Sequence, residues 1–232
     1  MKIGIMQPYF FPYIGYWQLI YAVDKYIIYD DVNFIKGGWI NRNNILMNGE
    51  AKLVNIQMHN ASPNKLINEV EVSDNYVYKG KLLKTLNYCY KKAPFFQDVF
   101  PVIENVIKQE EKNLAKYLEC SIRQVCEYLS IDTNIVISSD INKSNDLRAQ
   151  DKVIDICKIV GAHEYINAIG GEKLYSREAF SAYDIQLKFL KIGEVRYPQL
   201  NNEFVPNLSI IDVMMFNSLG EIKEILNNFT LV

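Results

Sequence analysis

The chain is poor in the groups that most often announce chemistry. It has two histidines, His59 and His163, far apart, and four cysteines, Cys89, Cys120, Cys126 and Cys157, without a CxxC pair. No standard metal-ligand spacing can be assembled from them, so no metal site is expected. GxSxG, HExxH, Walker A and GxGxxG are all missing, which removes the readiest routes to hydrolase, zinc-protease, P-loop and dinucleotide chemistry. No cofactor is expected either. An excess of positive charge is lacking as well: 25 Lys and Arg face 27 Asp and Glu, for a net charge of −2. The densest basic clusters, Lys79/Lys81/Lys84 and Lys91 with Lys92, have acids nearby, so nucleic-acid binding is not expected. No apolar run approaches the ~20 residues of a membrane span. Only four residues separate Lys2 from Gln7, too few for the apolar part of a signal peptide. A cytoplasmic protein with reduced, mostly buried thiols is the resulting expectation.

What is present suits a packed globular chain. Of 232 residues, 49% are hydrophobic and 22% charged, enough for one large domain with a real core. Tyrosine is over-used, 16 against 11 Phe, which supplies rings for a core and hydroxyls for a polar pocket alike.

Apolar runs and helical spacings alternate along the chain. Residues 2–6 read as a buried strand, the proline-flanked stretch 7–12 as a loop, the stretch from Tyr13 as a helix, and 25–29 as a second strand. Two strands joined by a short helix imply a parallel pair. Asn48-Gly49 between 43–47 and 52–57 is a hairpin signal, and the hairpin is expected to extend or cap the sheet. Residues 67–72 are a further strand candidate. Helices are expected at 78–92, 99–107 and 113–129, then a strand at 134–138, a helix at 147–160, a strand at 164–169, a helix at 173–182, a strand at 186–190, and helices at 209–216 and 221–228. No repeat or low-complexity linker interrupts this order. The expectation is an α/β fold with a mainly parallel sheet, a single domain over 1–232 with a helical insertion near 76–130.

The loop Gln7-Pro8-Tyr9-Phe10-Phe11-Pro12-Tyr13-Ile14-Gly15-Tyr16 is the first site candidate, because ligands of open α/β sheets bind beyond the carboxyl ends of strands. It reads either as an aromatic plug over the sheet or as a ligand-binding loop. Gln7 favours the second reading, since a polar amide directly after a buried strand needs a partner. Asp30 and Asp31 end the second strand at the same edge, where a carboxylate can bind hydroxyls or act as a general base. Neighbouring residues point to opposite sides, so one of the two is expected to face the pocket, with Asp30 the first choice. Asn41-Arg42-Asn43, with Lys36 upstream, offers a guanidinium suited to phosphate or carboxylate. His59 is a general-base candidate. Later in the chain Arg148, Tyr165, Gly170, Gly171, Tyr175, Tyr197, Gln199, Ser209 and Asp212 make a second set. Gly170-Gly171 follows a strand in a phosphate-loop-like position, and Ser209 with Asp212 reads as a helix-capping box.

The stretches MQPYFFPYIGYWQLI, YDDV, WINRN, YKKAPFF, GAHEYINAIGG with EKLY, YPQ and FVPNLSIIDVMMFN resemble the WbqC-like family of bacterial proteins over nearly the whole chain. That resemblance implies a place in O-antigen (lipopolysaccharide) or other surface-polysaccharide biosynthesis. It also implies a transferase modifying a nucleotide-linked amino sugar, with glycyl or other acyl transfer from a carrier-bound acyl or aminoacyl donor to the sugar amine. The strand–loop–helix is also similar in layout to that of nucleotidyltransferases, which would make the N-terminal part Rossmann-like. There a His-x-Gly-His binds phosphates; here Tyr13-Ile14-Gly15-Tyr16 fills the frame, and tyrosine brings no positive charge near neutral pH. Three readings therefore stand side by side: a transferase on a nucleotide-sugar, a nucleotide-dependent enzyme activating a carboxylate or phosphate, and a non-catalytic binding protein of polysaccharide assembly.

Overall fold

The computed structural model describes residues 1–144, 146–200 and 203–232. The chain opens with β1 (Lys2–Met6), α1 (Ile14–Tyr21) and β2 (Lys25–Ile28), and β1 pairs with β2 in parallel. A hairpin of β3 (Arg42–Met47) and β4 (Glu50–Asn55) follows, turning at Asn48 and Gly49, both with positive φ as a tight hairpin turn requires. Two short strands, β5 (Met58–His59) and β6 (Glu71–Val72), lead into α2 (Tyr76–Tyr90), α3 (Phe96–Lys108) and α4 (Leu114–Tyr128). The alternation then resumes: β7 (Asn134–Ile137), α5 (Ala149–Ile159), β8 (Glu164–Ala168), α6 (Arg177–Ser181) and β9 (Gln186–Ile192). The chain closes with α7 (Ile210–Phe216), α8 (Leu219–Asn227) and β10 (Phe229–Leu231).

Six strands form one sheet in the order β10-β9-β8-β1-β2-β7, parallel throughout except for β10 against β9. Counted in chain order within that sheet, this is the doubly wound arrangement 3-2-1-4-5-6. From β1 the chain builds outward through β2 to β7, then returns to the other side of β1 and builds through β8 and β9. The direction reverses between β1 and β8. Side chains alternate across the strands as the period of two demands. Ile3, Ile5, Ile27 and Tyr165 pack with α5 and α6 on one face, while Tyr26, Ile28 and Ile166 pack with α1 and the remaining helices on the other. Gly4 lets α1 come close to the sheet: a Cβ there would sit 3.3 Å from the Tyr26 ring and 3.4 Å from Leu19. Buried Gln18 ties α1 to the end of α8 by donating to the carbonyls of Ile225 (2.8 Å) and Asn228 (3.0 Å).

Four expectations need correction. The hairpin neither extends nor caps the parallel sheet; it is a separate two-stranded ribbon packed against α7. Residues 67–72 are a 3₁₀ turn (Ile67–Glu69) followed by the short β6, because the amides of Ile67 and Asn68 bond to the Val32 and Asp30 carbonyls of the loop after β2. The helix expected at 173–182 splits, with a 3₁₀ segment over Ile169–Leu174 and a fresh start at Ser176, whose hydroxyl accepts from the Ala179 amide. Strand β10 was not foreseen. It is three residues long and owes its form to pairing with β9 rather than to its own pattern.

Candidate functional site

The loop between β1 and α1 has both of the characters its sequence suggests. Phe10 and Phe11 are fully buried anchors, packed edge to face at 4.9 Å. Phe11 holds a φ of +41°, unfavourable for a residue with a side chain. Its carbonyl is fixed there by Asn43 Nδ2 and by the Ser209 hydroxyl, each at 2.8 Å. The Trp17 indole donates to the Pro12 carbonyl at 2.9 Å. These anchors leave Tyr9 and Tyr13 half-buried at the surface.

The tyrosines form one side of a cleft of about 440 Å³ at the carboxyl ends of β1 and β8. It lies at the reversal of strand order, where open α/β sheets place their ligands. Of the sequence candidates it gathers Gln7, Tyr9, Tyr13, Gly15 and Tyr16 from the first loop and Gly170, Gly171 and Tyr175 from the segment after β8. Tyr29, Ile35, Asn167 and Leu174 are among the further residues that line it and that sequence reasoning missed. Tyr29 stood one residue before the more conspicuous aspartates, and Asn167 looked like an ordinary strand residue.

Among the described residues no carboxylate, histidine, lysine or arginine lines the cleft. Burial raises the phenols of Tyr9, Tyr13 and Tyr175 above the ordinary value and those of Tyr16 and Tyr29 further still, so all stay neutral near pH 7. The Tyr16 hydroxyl is occupied, donating to the Gln7 carbonyl at 3.0 Å. Gln7 lines the cleft, and among the described residues its side-chain amide has no hydrogen-bond partner. Such a surface recognises a ligand by stacking and neutral hydrogen bonds.

The charged candidates are used elsewhere. Buried Asp30 accepts from the Ser139 amide (2.9 Å), the Ser139 hydroxyl (2.6 Å) and Asn68 (3.1 Å), joining the loops after β2 and β7. Asp31 is paired with two lysines whose side chains are buried, Lys143 at 2.8 Å and Lys152 at 2.9 Å. Burial pushes its carboxyl up, but the Lys143 and Lys152 ammonium groups outweigh that and hold it below the usual carboxylate value. The Lys152 ammonium also lies 5.2 Å from the Tyr29 ring, so this ion cluster stands behind one wall of the cleft. Arg148 acts on the Tyr29 phenol from the same side. The Arg42 guanidinium donates to the carbonyls of Gly37 and Gly38 and lies over the Trp39 ring at 5.8 Å. Asn41 donates to the Ile56 carbonyl, and Asn43 clamps the Phe10–Phe11 turn. Exposed His59, in β5, has the exposed Asp74 at 4.0 Å and is no part of the cleft. Lys36 is exposed on the loop between Ile35 and Trp39, without an ion pair among the described residues.

The second sequence set divides. Gly170, Gly171 and Tyr175 join the cleft, whereas Tyr197, Gln199 and Asp212 form a buried knot under α7. Asp212 accepts from Tyr90 (3.0 Å), Tyr197 (2.9 Å) and Gln199 (2.6 Å). Burial raises its carboxyl to about 6 against those three hydrogen bonds. Ser209 is the N-cap of α7, but the capping box with Asp212 is not made, because that carboxylate turns inward. Among the described residues no group of three His, Cys, Asp or Glu is placed to hold a metal ion. Among the described residues no helix is long and apolar enough to cross a membrane.

Fold and cleft together define the class: a doubly wound α/β protein with an uncharged, tyrosine-walled cleft at the switch point of its sheet. Residues 7–224 match the WbqC-like protein family, and the chain belongs to that family. An uncharacterized protein of Mycobacterium tuberculosis (strain ATCC 25618 / H37Rv), Rv1507c, is 25% identical over 228 residues, 97% of each chain. No solved structure matches the chain.

Proposed function

We propose that this protein binds a nucleotide-linked amino sugar in the cleft between β1 and β8 and acts on it as a transferase, acylating the sugar amine during surface-polysaccharide synthesis. The observation that carries the binding half is Gln7: an amide without a partner, at the end of a central strand, in a cleft at the switch point. Neutral phenols and amides suit a nucleobase or sugar, which offer ring faces and hydrogen-bonding edges rather than net charge. Membership of the WbqC-like family, with the polysaccharide role that its resemblance implies, supports the substrate class.

The transferase half rests on positioning. In the proposed step the amine nitrogen bonds to the acyl carbon, the donor's leaving group departs with the bond pair, and the amine proton passes to solvent. Holding the two reactants together supplies much of such a rate without a covalent enzyme intermediate. The absence of a carboxylate or histidine from the cleft lining favours a second reading, a non-catalytic nucleotide-sugar-binding protein. Nucleotidyl transfer is supported less, since Tyr13 and Tyr16 supply no cation and the Tyr16 hydroxyl is already bonded.

Incubation with amino-sugar nucleotides and a panel of thioester and aminoacyl donors, followed by mass spectrometry, separates these readings. An acylated sugar nucleotide is the result expected of the transferase. Binding without a product across the panel selects the second reading, and no binding removes both.

A further inference from the structure

The cleft has a neighbour. A depression of about 360 Å³, lined by Tyr9, Pro12, Tyr13, Trp39, Asn43 and Asn207, shares the Tyr9 and Tyr13 rings with it as a common wall. Both volumes fall in the range of small-ligand sites. One loop serves the two chambers. It places Ile35, 50% exposed, at the cleft and Trp39, 47% exposed, in the depression. Lys36 lies between them in sequence and has no ion pair among the described residues.

Trp39 is exposed without being loose. Its carbonyl and that of Ile40 accept from the Phe10 amide at 3.4 and 3.0 Å, and Arg42 braces the loop through the Gly37 and Gly38 carbonyls while lying over the indole. A large indole held in place at the surface, beside two tyrosines, is a platform for a ring.

We propose that the two chambers form one bipartite site for a single elongated ligand, a nucleoside-diphosphate sugar. Its base lies in the cleft, its sugar ring lies on Trp39, and its diphosphate crosses the Tyr9–Tyr13 wall, on the side served by the loop that carries Ile35, Lys36 and Trp39. The direction follows from the linings. The cleft carries the Gln7 amide suited to a base edge, while the depression offers an aromatic face suited to the C–H face of a sugar. The diphosphate passes between the chambers, and Lys36 is the cation of the segment between Ile35 and Trp39. This arrangement rests on the nucleotide-sugar reading above and sharpens it, since the reacting sugar would then sit at Trp39 rather than in the cleft. Arg42 is a positioning residue here, acting through the indole.

The test is calorimetric titration of the full chain with UDP-glucosamine, UDP-galactosamine and dTDP-4-amino-4,6-dideoxyglucose, each paired with its free nucleoside diphosphate. Trp39→Ala is expected to weaken the sugar nucleotide that binds by at least about tenfold while leaving the nucleoside diphosphate unchanged, and Trp39→Phe to restore most of the loss. Lys36→Ala is expected to weaken both ligands, with the difference from wild type closing at high salt. Trp39 is half exposed and Arg42 keeps its carbonyl partners without it, so these variants are expected to fold. Should Trp39→Ala leave sugar-nucleotide affinity unchanged, or weaken both ligands equally, the bipartite arrangement is overturned while the nucleotide-sugar reading survives. Should wild type bind no compound of the panel, both fall together.

Discussion

Replacing Asp212 by asparagine removes a buried carboxylate while nearly preserving its shape. Asp212 is fully buried and joins Tyr90 of α2 to Tyr197 and Gln199 of the segment before α7; Tyr90 in turn accepts from the Leu46 amide of the hairpin at 2.9 Å. Burial raises the carboxyl from 3.8 to about 6. The folded state therefore holds this proton more tightly than the unfolded chain does. Below about pH 4 both states are protonated and the group imposes no penalty. As pH rises through 4 to 6 the unfolded chain ionises first, and stability falls by up to about 3 kcal/mol. Between pH 7 and pH 5 the same linkage returns about 1 kcal/mol, or roughly 2–4 °C in melting temperature for a chain of this size. Asp212→Asn has no proton to bind there. Thermal melts of wild type and variant across pH 5–7 should therefore diverge, the wild-type midpoint rising on acidification relative to the variant's. The absolute stability of the variant also reports the knot, because one asparagine oxygen serves two donors and leaves the Tyr90 hydroxyl proton without an acceptor, a loss of about 1–3 kcal/mol. Parallel pH profiles for the two proteins would refute the account of Asp212.

Asp31 behaves with the opposite sign. Its folded-state pKa is depressed, so its contribution is present above the unfolded value near 4 and is lost as pH falls through the lower folded value. Asp31→Asn leaves the Lys143 and Lys152 ammonium groups buried without their carboxylate, and urea denaturation at pH 7 should show a loss of roughly 3 kcal/mol. Gly15→Ala should separate binding from stability. The new Cβ would lie 2.6 Å from the Tyr13 ring, displacing a half-buried side chain, while alanine improves the helix by up to about 1 kcal/mol; ligand titration should weaken with no fall in melting temperature. Gln7→Ala should likewise reduce affinity without loss of stability, since the amide has no partner to lose; an unchanged dissociation constant would remove Gln7 from the site.

The parallel β1–α1–β2 unit, the hairpin turn at Asn48-Gly49 and the three middle helices were legible because each is declared locally, by an apolar run, a turn pair or a 3.6-residue spacing. The candidate cleft was legible in part for the same reason. A loop after a buried strand in an α/β chain points to the sheet's carboxyl edge, and Gln7, Tyr9, Tyr13, Gly15 and Tyr16 do line the cleft there. Asp30, Asp31 and Arg42 drew attention by their charge, yet charge in a sequence does not reveal its partner. Only the folded chain showed that Ser139 and Asn68 hold Asp30, that two lysines hold Asp31, and that glycine carbonyls hold Arg42.

What the sequence by itself determined is the class of fold, the family and one wall of the cleft, because these depend on composition, on motif and on periodicities within a few residues. What only the tertiary structure decided is the other wall and the fate of the charges. The cleft exists because the chain reverses direction between β1 and β8, which brings Asn167, Gly170 and Tyr175 against a loop more than 150 residues earlier. Burial and pairing follow from that juxtaposition, since a side chain's electrostatic surroundings are set by neighbours in space, whatever their distance along the chain.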